Sequence, residues 1–159
     1  MNKSTALIEV SPAQAATAGL PAVQVRVTET ALPLMARPLP FGGAYLSLSG
    51  PPGGPLGMTV TADAARPEEM ADSLRDAGHQ DVQSSLITWN GESLPAIASR
   101  HGEGNARAQE LRVMATTVNE KGIWITISAA PPTRSLTPAQ LAAQAPFAEM
   151  LAAVKVGPP

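Results

Sequence analysis

His79 and His101 are the only two histidines of the chain, and there is no cysteine. Imidazole chemistry is therefore confined to two positions, and thiolate nucleophiles, disulfides and zinc–thiolate sites are excluded. A metal centre on both histidines would need further ligands, for which Asp81 and Glu103 are the neighbours in sequence. His79 follows Gly78 at the end of a helical pattern, where a cation meets the negative end of the helix dipole. His101 precedes the glycine-rich stretch Gly102–Asn105. Both read as solvent-facing loop histidines. Ser47, Ser84 and Ser85 stand at no spacing to a base that would make a nucleophile. Glu68 and Glu69 read as helix-start charges and Glu92 as a turn carboxylate. Gly50–Gly54 is no phosphate loop, since no Gly-Lys-Ser/Thr follows. No catalytic, cofactor or metal set is expected.

The elements that would position these residues are marked by periodicity and punctuation. Val23, Val25 and Val27 alternate with polar residues, as does Ala44–Ser49, and both read as half-buried strands. Thr5–Val10 can form a short strand, with Ser11–Gly19 as linker. Prolines 33, 38 and 40 and the Pro51–Pro55 run read as loop and rigid turn. Met58–Ala62 is a strand. Pro67 at a first helical position, Glu68 and Glu69 behind it and Gly78 at the far end delimit a helix, with Met70, Leu74 and Ala77 on one stripe. Ser84–Trp89 and Leu94–Arg100 flank Asn90-Gly91, the strongest short hairpin signal. Glu110–Val118 and Ile123–Ala129 form a long hairpin, with Asn119–Gly122 as a four-residue turn in which Gly122 takes the positive φ. Ile123, Ile125 and Ile127 share one face of the last strand; Trp124, Thr126 and Ser128 share the other. Thr137 and Gln140 make a capping box. Pro146 breaks or restarts the helix, and Phe147, Met150, Leu151 and Val154 then form an apolar stripe.

Such an order predicts an α+β fold: an antiparallel meander with helices packed on one face, a two-layer sandwich. The 159 residues suit one domain, read as a flexible segment 1–20 and a single domain 21–156. Charged residues make up 15% and the net charge is −2, so no basic face exists to neutralise nucleic acid. No run is long enough to span a bilayer. Glu9 and Pro12 interrupt the N-terminal apolar stretch, so it is no signal peptide. The expected location is cytoplasmic, or the cell envelope if a leader has been removed.

The unit GMTVTADAARPEEMADSLRDAG, the pair LITWNGESLPAIASRHG, the hairpin ELRVMATTVNEKGIWITISAAPP and the helix FAEMLAAVKV together resemble the Mog1/PsbP-like superfamily. Its bacterial branches include DcrB-like proteins and the Eag-type chaperones of type VI secretion. Ser93-Leu94-Pro95-Ala96 stands where that family opens the second strand of its middle pair. The resemblance covers about two-thirds of the chain; the Pro/Gly-rich N-terminal third departs from it. It implies a non-enzymatic accessory or chaperone-type binding domain, homodimeric, that holds an apolar segment of a protein partner. The long, weakly charged hairpin directs that role to Leu111, Val113, Met114 and Trp124, on the open face or edge of the sheet. The rival reading is a small-molecule or lipid-binding cell-envelope protein. A small hydrolase is the other rival, with a pocket near His101, Glu103, Asn105 and Arg107.

Overall fold

The computed structural model describes residues 5–10, 13, 23–28, 44–49, 57–101, 108–118, 120–129, 136–144 and 147–156. Its strands are β1 (Thr5–Val10), β2 (Val23–Thr28), β3 (Ala44–Ser49), β4 (Gly57–Ala64), β5 (Gln80–Trp89), β6 (Glu92–His101), β7 (Ala108–Val118), β8 (Lys121–Ala129) and β9 (Val154–Val156). The helices are α1 (Pro67–Asp76), α2 (Pro138–Ala142) and α3 (Phe147–Ala153). None of the described helices is long and apolar enough to cross a membrane.

Six strands form the main sheet in the order β3-β4-β8-β7-β6-β5, and its pairings are all antiparallel. A second sheet runs β1-β2-β9. Thr5–Val10 is thus paired along its length with β2, which removes it from the flexible segment expected over residues 1–20. The expected linker over Ser11–Gly19, apart from Ala13, and the loops over 29–43, 50–56 and 102–107 lie outside the described residues.

Alternation along β8 explains the layering. Ile123, Ile125 and Ile127 are fully buried with Leu141, Phe147, Met150 and Leu151, so α2 and α3 cover that face. Trp124 points the other way and is buried with Ile97 under Met70, Ala71 and Leu74 of α1. Helices therefore pack on both faces of the sheet, and the arrangement has three layers. The two-layer expectation fails because α1 and the C-terminal helices each carry an apolar stripe, and the sheet offers an apolar patch on each side. Val23 of β2 and Val154 of β9 join the isoleucine-side core, which anchors the small sheet to it.

The local signals are realised closely. Pro67 opens α1, with Glu68 and Glu69 in its first turn and Arg75 in its last. Gly78 has φ +93°, and the N–H groups of Gly78 and His79 donate to the carbonyls of Arg75 and Leu74. This is a Schellman closure, which needs a residue without strain at positive φ. Trp89 pairs with Glu92, leaving Asn90 and Gly91 as a two-residue turn with φ of 53° and 78°. Thr137 and Gln140 exchange their capping-box bonds at 3.2 and 2.9 Å.

The β7–β8 turn differs from expectation. Val118 pairs with Lys121, so the connection has two residues, and Glu120 takes the positive φ of 65°. Gly122 lies within β8, and its glycine is required by close approach. A Cβ there would stand 2.8 Å from the Ala64 carbonyl oxygen, 2.8 Å from Trp124 Nε1 and 2.9 Å from Met114 Sδ.

Candidate functional site: a groove beside α1

Directly paired residues of neighbouring antiparallel strands present their side chains on the same face. On the α1 side of the sheet the register lays out two rows. One runs Thr59, Thr126, Arg112 and Ile97 across β4, β8, β7 and β6. The next runs Gly57, Ser128, Glu110 and Ser99. Helix α1 covers Ile97 and Trp124 but leaves the β4 side open. The result is a groove of about 540 Å³, walled by Met70, Ser73, Leu74 and Ala77 and floored by Thr59, Thr61, Thr126, Ser128, Glu110 and Arg112, with Asp63 also lining it. Its floor is a carpet of hydroxyls and its wall is largely apolar.

Glu110 organises one end. Its Oε2 accepts from Ser128 Oγ at 2.8 Å, and its Oε1 lies 3.3 Å from Arg112 Nη1 and 3.4 Å from His79 Nδ1. Ser99 Oγ sits 3.0 Å from the same His79 nitrogen and accepts from Arg112 Nη1 at 3.4 Å. The side chains of Glu110 and Arg112 are each 14% exposed and that of His79 only 7%. His101 stacks on His79 with ring centroids 4.1 Å apart. Desolvation is the largest influence on His79 and depresses its proton affinity; Glu110 opposes this, while Arg112 and His101 add to it.

This constellation is not a nucleophilic one. A carboxylate facing Nδ1 favours the tautomer with a proton on that nitrogen, shared between Glu110 and Ser99. His79 then donates toward Ser99 and cannot act as its base. Ser99 is also 1% exposed, out of reach of a substrate. A hydrolytic pair would need the serine on an acceptor nitrogen and the carboxylate on the other. The expected Glu103, Asn105 and Arg107 lie outside the described residues. Asp81, weighed as a metal ligand, pairs with Arg100 at 3.6 Å. Among the described residues no group of three or more histidines and carboxylates could hold a metal ion.

The residues assigned to partner binding fall on two different faces. Leu111 and Val113 are fully buried in the isoleucine-side core. Trp124 is fully buried under α1, with its indole N–H bonded to the Ala64 carbonyl, and Met114 packs half-buried beside it. The alternation of β7 separates Leu111 and Val113 from Met114, and the covering helices take three of the four out of reach of a partner. The groove residues Thr59, Thr126, Ser128, Glu110 and Arg112 were not singled out by sequence reasoning. Their one local signal is the Glu110/Arg112 spacing of two, which puts opposite charges on one face of a strand whose other face is Leu111 and Val113. A comparison with protein-family models finds no match, and a comparison with curated proteins finds none either.

Proposed function

We propose that the chain is a non-catalytic binding domain, of accessory or chaperone type, that holds an extended segment of a partner protein in the groove between α1 and strands β4, β8 and β7. One observation carries this reading: a groove of about 540 Å³ that combines an apolar wall (Met70, Leu74) with a floor of threonine and serine hydroxyls. Hydroxyls can satisfy the backbone N–H and C=O groups of a segment laid along them, and the wall can take its apolar side chains. The buried, donor-bound Ser99 speaks against the hydrolase alternative. The likeness of the strand-and-helix order to the Mog1/PsbP-like superfamily remains part of this proposal, and the partner site moves from Leu111, Val113, Met114 and Trp124 to the groove.

Photo-crosslinking in cells tests it. Ser73 lines the groove and is exposed, whereas Asp76 is exposed on the same helix but does not line it. A photoreactive phenylalanine at Ser73 should trap a partner protein that the same residue at Asp76 does not. No adduct at Ser73, or equal adducts at both positions, would overturn the reading.

A further inference from the structure

We propose that the Arg112 end of the groove is a subsite for a terminal carboxylate on a short extended chain, the shared chemistry of a peptide C-terminus and of a short fatty acid. The inference deepens the groove reading above and rests on it for the location of the site.

Three observations carry it. First, Arg112 uses one nitrogen only: its bonds to Ser99 and to Glu110 both run through Nη1. Its Nη2 and Nε donate no hydrogen bond to the described residues. They are also not among the buried unpartnered atoms of the described residues, which are Arg100 Nε and Gln109 Oε1. Arg112 lines the groove, so the unused edge of its guanidinium is the part available to an occupant. That edge carries two parallel N–H donors, the geometry that matches a carboxylate bidentately.

Second, the guanidinium is held in place. Glu110 fixes Nη1 and is itself fixed by Ser128 at 2.8 Å, and Ser99 adds a second anchor. An incoming anion does not have to order a flexible side chain, which is the cost that usually weakens arginine–carboxylate contacts at surfaces. Glu110 carries one negative charge and also lines the groove, but its two oxygens are engaged by Ser128, Arg112 and His79. Hydroxyls of Thr59 and Thr126 lie in the same cross-strand row as Arg112 and supply further donors for a bound oxygen.

Third, the groove has electrical polarity. Asp63 lines it as well and stands four residues along β4 from Thr59, about 13 Å at the usual rise per strand residue. A ligand anchored by its carboxylate at Arg112 then passes Met70 and Leu74 and reaches Asp63 with a neutral or cationic end. Arg112 stands two strands from Thr59, about 10 Å across the sheet, so the path is about 16 Å, a chain of about five extended units such as an acylated tetrapeptide.

The test is titration followed by the backbone amide resonances of the full-length protein. The probe is N-acetyl-Lys-Ala-Val-Leu with a free C-terminus, beside the same peptide as its C-terminal amide, and hexanoate beside hexanamide. The expected result is that the free acids shift resonances of β4, β8 and α1, and that each amide binds at least about tenfold more weakly, as the loss of a charge-assisted pair requires. In R112Q the difference between acid and amide should vanish. Because R112Q leaves Glu110 without its cation, E110Q/R112Q is the matched variant; it removes both charges and should lose the preference equally. Tighter binding of the peptide acid than of hexanoate assigns the subsite to a protein C-terminus, and the reverse assigns it to a small acid. Equal binding of acid and amide, no binding of either acid at millimolar concentration, or a preference that survives in both variants would overturn the subsite. The crosslink at Ser73 would stand or fall separately.

Discussion

The indole N–H of Trp124 donates to the carbonyl of Ala64 across 2.8 Å, and Gly122 lies against both partners of that bond. One hydrogen bond thus ties the middle of the sheet to the strand end that leads into α1. The absence of a side chain at Gly122 is what lets the indole reach it.

Gly122→Ala should accordingly destabilise the fold by about 1–3 kcal/mol, the cost of forcing a methyl into a filled site. Gly91→Ala is the control. Its φ is +78°, but nothing lies within 4 Å of the added carbon, so only backbone strain of about 1 kcal/mol applies. Urea midpoints of the two variants decide the matter; a Gly91 variant less stable than the Gly122 variant would place the constraint in the turn instead.

Leu74→Asp should cost several kcal/mol, because the carboxylate would be placed against the apolar side chains of Trp124, Ile97 and Met70. Leu74 is 6% exposed. A variant as stable as the parent in urea would show α1 to be undocked, and with it the groove would lose its wall.

Much of this architecture was legible locally. The Asn90-Gly91 turn, the Pro67-to-Gly78 helix limits and the Thr137–Gln140 capping box each rest on one backbone preference, and each is met. The two faces of β8 were also legible, since Ile123, Ile125 and Ile127 alternate with Trp124. What covers each face was not, because alternation assigns a side and names no neighbour. That is why Trp124 read as an outward contact when α1 seals it in. Val154–Val156 continued an apolar helical stripe and gave no sign that it pairs with β2. The ring of His79, Ser99, Glu110 and Arg112 joins residues from three separate segments, so no spacing in the chain could announce it.

Truncation after Thr137 should yield an aggregating protein. It removes Leu141, Phe147, Met150 and Leu151 from Ile123, Ile125 and Ile127, which are fully buried beneath them. Each large apolar side chain so exposed forfeits roughly 1.5–3 kcal/mol, against a total stability of about 5–15 kcal/mol. Soluble yield and denaturation midpoint measure this. A soluble, cooperatively folding truncation would make the C-terminal helices an appendage.

His79 should make stability depend on pH. Its folded-state proton affinity is depressed, chiefly by desolvation, so the unfolded chain binds the proton more readily. Its contribution is complete above the unfolded value of about 6.5 and is lost as the pH falls below that value toward the depressed folded one. His79→Gln should flatten the fall in denaturation midpoint between about pH 7 and pH 5.5, above the range where carboxylates dominate. An unchanged slope in the variant would remove His79 as its source.

Gln109→Met should be neutral or stabilising. Gln109 is 1% exposed, and its Oε1 is buried without a partner among the described residues. Replacing an unsatisfied polar group by an apolar one of similar size removes a desolvation penalty of about 1–3 kcal/mol. A loss of stability in Gln109→Met would mean that the oxygen is satisfied by a bound water.

The pairing of Val23–Val25 with Val154–Val156 joins segments well over a hundred residues apart in sequence. Bringing them together closes the longest loop of the fold, and closure of long loops is slow more than it is costly. On the ribosome, β1 and β2 must wait for their third strand until all the strands of the main sheet have been made. The small sheet is then the last part to lock, and the rate at which it does so sets how long Val23 stays exposed to other chains.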